Sequence, residues 1–195
     1  MSSYSKIKDI NTLATVLEYL KSIKEKNKVS VWLDWDETIV NSSIHQPLEP
    51  QIIKEFFKYM MDHKIFFAII TGRFHDTACN ENRRNIFNMR ENIETTIFPI
   101  LEELGVDVSP FLTPQSIESL YKIFDESGIC IGVMYMGILF SHIKGGAIRN
   151  FLRQTKLNLP IKIFVDDFEP YLIESTASVP DLITFRRHLP GTKIR

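Results

Sequence analysis

The chain has 195 residues, of which 44% are hydrophobic, 11% aromatic and 24% charged. These figures exclude disorder, collagen-like repeats and low-complexity architectures, and they favour one domain with a sizeable core. Its 23 basic and 24 acidic residues give a net charge of −1, which speaks against a nucleic-acid or anionic-membrane partner.

In chain order, Leu13, Val16, Leu17, Leu20 and Ile23 repeat at helical spacing after a candidate N-cap, Asn11. The apolar run Val29–Leu33 predicts a buried strand that stops at Asp34. From Pro50 the pattern is helical again, with Ile52, Ile53, Phe56, Phe57, Met60 and Met61 on one face. Ile65–Ile70 predicts a second buried strand, ending at Thr71-Gly72-Arg73. Thr77–Leu104 is helix-compatible with a kink or split at Pro99, its recurring apolar positions beginning with Phe87, and Gly105 is a natural C-cap. Residues 107–128 read as irregular or short helix. Met136-Gly137 joins Ile129–Tyr135 to Ile138–Phe140 as a hairpin. A helix from about Gly146 to Gln154, a third apolar strand Ile161–Val165, a helix Pro170–Ser175 and a last strand Leu182–Phe185 complete the pattern. Such alternation predicts an α/β fold with a parallel sheet covered on both faces, in which ligands bind at the carboxyl ends of the strands.

Three of those strands end in polar residues, which would converge if the strands are neighbours. Asp34-Trp35-Asp36-Glu37-Thr38 offers two carboxylates. If the chain turns at once after Asp34, one can attack an electrophile while the other exchanges a proton with the leaving group. Thr71 and Gly72 offer a hydroxyl and closely approachable backbone N–H groups for a phosphoryl oxygen. Lys144, opening a helix before Gly145-Gly146, offers a cation to neutralise both nucleophile and phosphate. Asp166-Asp167 suits a hard divalent cation with oxygen ligands, Mg²⁺ above all. Taken singly, each group also reads as an ordinary turn, cap or solvated side chain.

In this order, separated by 37, 73 and 22 residues, the four groups resemble the motifs of the haloacid dehalogenase superfamily. The likeness covers about residues 29–186, and Asp34-Trp35-Asp36-Glu37-Thr38 is similar to the D-x-D-E-T form of its acid phosphatases. The resemblance implies a Rossmann-like three-layer sandwich, to which the segment lengths add the expectation of minimal or no cap and a small hairpin insertion. It also implies a Mg²⁺-dependent phosphomonoester hydrolase. Asp34 would form an aspartyl-phosphate, and Asp36 would protonate the leaving group, then activate water. Thr71, Gly72 and Lys144 would hold the phosphate. Asp34, Asp36, Asp166 and Asp167 would form the metal side, with Asp167 either a ligand through water or a residue that orients the ligands. A phosphotransferase and a binding module without turnover remain the alternatives, separable by acceptor assays and a phosphoester panel.

The segment 39–64 holds little beyond one loop and the Ile52–Met61 helix. The segment 74–143 must supply a long helix, a strand and the hairpin, so little is left for a lid. With only that helix and the hairpin near the mouth, an open site is expected, suited to a large or protein-borne phosphate. The sequence leaves oligomeric state open. The residues 1–28 are expected to pack as a helix on a single 1–195 domain. No run of about 20 apolar residues occurs and Met1–Asn27 lacks the core of a cleavable signal, so neither a span nor a signal peptide is expected. Cys79 and Cys130 lack Cys-x-x-Cys spacing and read as inert core thiols in a reducing, cytoplasmic setting, non-classical export aside. Trp35 reads either as a pocket wall or as packing, and His75 and His142 as neighbours of the motif residues.

Overall fold

The computed structural model describes residues 7–74, 79, 80 and 82–189, the side chains of 115 and 116 excepted. It begins with a strand absent from the sequence reading, β1 (Ile7–Ile10), followed by helix α1 (Ala14–Ser22). The α1 start is served by Thr12 rather than Asn11, the Thr12 hydroxyl accepting the Ala14 N–H at 3.2 Å. Strand β2 (Val29–Asp34) runs into a tight turn and a two-residue ladder between β3 (Val40–Asn41) and β4 (Gln46–Pro47). Helix α2 (Pro50–Asp62) then opens on a proline, whose missing N–H has no intrahelical partner to lose. It is followed by β5 (Phe66–Thr71).

The helical run predicted from Thr77 begins, among the described residues, only at Arg83, as α3 (Arg83–Asn92), a π-helical turn (Ile93–Ile97) and α4 (Phe98–Glu103). The Phe98 N–H bonds Ile93 O, one residue further back than in an α-helix. This widened turn directly precedes Pro99, which cannot continue an α-helical ladder, so the break falls where proline chemistry demands it. Phe87, expected on the apolar face, is instead 61% exposed. Gly105, at φ +80°, ends the run. After a short helix α5 (Pro114–Glu118) come β6 (Tyr121–Phe124), β7 (Cys130–Tyr135) and β8 (Ile138–Phe140). The chain closes with α6 (Lys144–Thr155), β9 (Ile161–Asp166), α7 (Glu169–Ser178) and β10 (Leu182–Arg187).

Among the described residues, eight strands form one sheet in the order β1-β10-β9-β2-β5-β8-β7-β6. The pairings from β1 to β8 are parallel, and only β8–β7 and β7–β6 are antiparallel. Successive side chains of a strand point to opposite faces, and β2 shows what this does here. Val31 and Leu33 join the core beneath α1 and α2, whereas Trp32 joins the core beneath α6 and α7. The helical run 83–103 packs into the first of these cores through Met89, Ile93, Ile97 and Leu101. The protein is therefore α/β, a large and mostly parallel sheet with helices on both faces.

Three expectations need correction. The Met136-Gly137 hairpin exists, with both residues at positive φ as a two-residue hairpin turn requires. It is not an insertion at the pocket mouth, however, because β8 pairs with β5 and the hairpin widens the main sheet. Likewise the Ile52–Met61 helix turns Ile53, Phe56, Phe57 and Met60 into the core rather than toward the mouth. The cysteines are not free thiols either: Cys79 and Cys130 form a disulfide with Cα atoms 5.8 Å apart across a sequence separation of 51. A separation that long carries no local signal; the bridge joins the segment that follows β5 to the start of β7, two strands away. A disulfide persists in oxidising surroundings, so cysteine usage lends no support to a reducing compartment. Among the described residues, no helix is long and apolar enough to cross a membrane.

Candidate active site

The site lies where four adjacent parallel strands, β9-β2-β5-β8, reach their carboxyl ends. Asp166 ends β9, Asp34 ends β2 and Thr71 ends β5. The chain leaving β8 enters α6 at Lys144. Beyond Asp34 the backbone turns through Glu37, at φ 57°, whose N–H bonds Val40 O at 2.7 Å. That turn brings Asp36 back beside Asp34 on one pocket wall. The Glu37 carboxylate steadies it by accepting the Ser42 N–H at 3.0 Å and the Ser42 hydroxyl.

At the pocket floor Lys144 Nζ lies 2.5 Å from Asp34 Oδ1 and 2.7 Å from Asp166 Oδ2. All three side chains are almost entirely buried. Asp166 Oδ1 also accepts the Phe168 N–H at 2.8 Å, and the Lys144 ammonium stands 4.5 Å from the centre of the Tyr171 ring. Asp34, Asp166 and Asp167 each offer a carboxylate oxygen within 4.8 Å of the others. Three carboxylates against one lysine leave two negative charges unmet, the charge of one divalent cation. Burial first, and neighbouring carboxylates after it, raise the proton affinities of the three acids. Burial pushes Asp34 up to about 7 against the pull of Lys144, with Asp166 adding to the push. Burial, then the Asp34 charge, push Asp167 up to about 6. Burial also raises Asp166. For Lys144 burial works against the charge, but Asp34 and Asp166 outweigh it and raise the amine above its usual range.

The pocket above this floor encloses about 280 Å³ and is lined by Asp34, Asp36, Glu37, Gly72, Arg73, Lys144, Asp166, Asp167 and Tyr171. Of the residues singled out from sequence, it brings together Asp34, Asp36, Gly72, Lys144, Asp166 and Asp167. Thr71 is buried just off the wall; its hydroxyl accepts the Arg73 N–H at 3.2 Å and its carbonyl the Ser141 N–H at 2.9 Å. Trp35 is packing rather than pocket, fully buried in the core beneath α1 and α2. His142 is exposed and off the wall, and His75 lies outside the described residues. Arg73, Glu37 and Tyr171 were not assigned roles from sequence. Arg73 had a signal, since it follows Thr71-Gly72 directly; Tyr171 had none, as its place depends on how α7 packs.

Fold and site together define an α/β protein with a carboxylate–lysine centre at the carboxyl edge of its parallel strands. Comparison with protein-family models, with curated proteins and with solved structures finds no match in any of the three.

Proposed function

We propose that this chain is a Mg²⁺-dependent phosphomonoester hydrolase of the haloacid dehalogenase type, working through an aspartyl-phosphate on Asp34. The observation that carries the reading is the buried Asp34–Lys144–Asp166 network with Asp167 beside it. It unites an anionic nucleophile, a fixed cation and a donor set that fits a hard divalent ion. Asp34, Asp166 and Asp167 would hold Mg²⁺, which when bound supplies positive charge against the developing charge on the phosphoryl oxygens.

The chain's own residues account for the rest. An Asp34 oxygen attacks phosphorus as the ester oxygen departs, and Asp36 gives its proton to that oxygen. Asp36 then takes a proton from the water that attacks the Asp34 phosphate, releasing inorganic phosphate and restoring the carboxylate. Lys144 screens Asp34 from the incoming dianion, and its fixed position lets it act without reorganisation. Gly72 and Arg73 present backbone and guanidinium to the phosphate. The minimal-cap form of the fold is supported by the wall itself, to which the described residues of 74–143 contribute nothing.

The test is hydrolysis of an aryl phosphate with Mg²⁺. Asp34→Asn should abolish turnover, because an amide is not nucleophilic. Asp36→Asn should lower kcat by about 10²–10⁴, the usual share of a positioned acid–base. Wild-type turnover in Asp34→Asn removes the covalent mechanism.

A further inference from the structure

Lys144 opens α6, yet the residues that must hold its first turn are Gly145 and Gly146, poor helix formers. The residue before, Ile143, provides no side-chain cap. The hold comes from α7. Glu174 Oε2 accepts the Gly145 N–H at 2.9 Å and Oε1 accepts the Gly146 N–H at 3.2 Å. These are first-turn donors with no partner inside their own helix. The carboxylate is fixed in turn, with the Ser178 hydroxyl donating to Oε1 at 2.7 Å and the Ser175 hydroxyl to Oε2 at 3.4 Å.

Gly145 follows from this contact, and Gly146 from the fit of the same turn against Ile143. A Cβ on Gly145 would stand 2.4 Å from Ser175 Cα and 3.0 Å from Glu174 Oε2. A Cβ on Gly146 would stand 3.0 Å from Ile143 Cγ2. A side chain at Gly145 would push the two helices apart and withdraw the carboxylate. Gly145, which weakens the helix on its own, thus admits the group that anchors it.

We propose that Glu174 is the positioning residue for Lys144, clamping the first turn of α6 so that the amine stands between Asp34 and Asp166. The inference rests on the role proposed for Lys144 and adds a residue that lines neither the pocket nor the metal side. Its leverage is geometric. At 2.5 and 2.7 Å the lysine makes both contacts at once, and a misplacement of about 1 Å at such a centre costs on the order of 10²-fold in rate.

The experiment compares wild type with Glu174→Ala, Glu174→Asp and Glu174→Gln in kcat, KM, Tm and the ¹⁵N signal of the Lys144 ammonium group, assigned by its loss in Lys144→Met. Leu172→Ala serves as control: Leu172 is fully buried on the same helix but belongs to the core rather than the pocket. Glu174→Ala should broaden or shift the ammonium signal and lower kcat about 10–100-fold with KM nearly unchanged, and Glu174→Asp should restore part of both. Leu172→Ala should lower Tm while leaving signal and kcat in place. An unmoved signal with wild-type kcat in Glu174→Ala, or the same losses in Leu172→Ala, overturns the proposal. Should Glu174→Ala not fold, Glu174→Gln, which keeps the shape and loses one acceptor, carries the same comparison. If the wild type hydrolyses no phosphoester, the hydrolase reading fails while the ammonium signal still decides the positioning.

Discussion

Arg73 grips Asp36 through two parallel hydrogen bonds, Nε to Oδ2 at 2.9 Å and Nη2 to Oδ1 at 2.5 Å. The pair spans the pocket wall between the turn after β2 and the turn after β5, and both side chains remain partly exposed. A guanidinium fork matches a phosphate as well as it matches a carboxylate. In the proposed reaction, the arriving phosphate therefore competes with Asp36 for Arg73 and frees Asp36 for proton transfer.

That competition makes Arg73 a binding residue above all. Arg73→Ala should raise KM about tenfold or more, the loss expected for hydrogen bonds to a charged group. Arg73→Lys should recover little of it, since an ammonium cannot make the bidentate contact. Steady-state kinetics on an aryl phosphate check this. A wild-type KM in Arg73→Ala would show that the guanidinium serves only to hold Asp36.

The metal side makes a separate claim. Mg²⁺ with beryllium fluoride mimics a phosphorylated aspartate and should bind only the folded site, adding about 2.7 kcal/mol at a hundredfold excess over Kd. For a chain of this length that corresponds to a rise in Tm of about 5–10 °C. Asp166→Ala should erase the rise, because it removes a cation ligand and one of the two carboxylates that hold Lys144. A full response in that variant would show that the cation sits elsewhere.

Much of this site was legible because its residues end strands. A short apolar run that stops at a carboxylate or Thr-Gly signals a strand end, and the parallel order of β9, β2 and β5 does the rest. What escaped has physical causes. Strand β1 buries only Ile10 and β6 only Ile123, so neither edge strand shows the apolar pattern of a core strand. Glu174 sits in a helix read correctly, but its importance comes from the approach of α6 to α7, which no local pattern encodes. The Cys79–Cys130 bridge depends on sheet order in the same way.

That bridge has a measurable consequence. Closing a loop of 51 residues stabilises the folded chain by about 2–4 kcal/mol, chiefly by restricting the unfolded one. Reduction, or Cys130→Ser, should lower Tm by roughly 5–15 °C. Thiol titration of the denatured, unreduced protein should find no free cysteine. Two titratable thiols together with an unchanged Tm on reduction would show that the bridge does not form in solution.

The openness of the pocket leads to the last prediction. Its wall comes from strand-end turns and the starts of α6 and α7, and none of the described residues between Phe74 and Ile143 contributes to it. The two segments expected near the mouth belong instead to the core and the sheet. A lid that excludes water from a small metabolite needs packing of its own, and no described residue of the wall belongs to one. Remote contacts are what a substrate uses to lower its barrier, and a small phosphoester finds few here. It should therefore be hydrolysed with a high KM, whereas a phosphorylated macromolecule gains contacts on the surface around the pocket. The comparison is kcat/KM across small sugar phosphates, nucleotides and phosphopeptides, with phosphopeptides expected to lead. One small metabolite alone reaching about 10⁶ M⁻¹s⁻¹, well inside the efficient-enzyme range, would show that the site closes over its substrate after all.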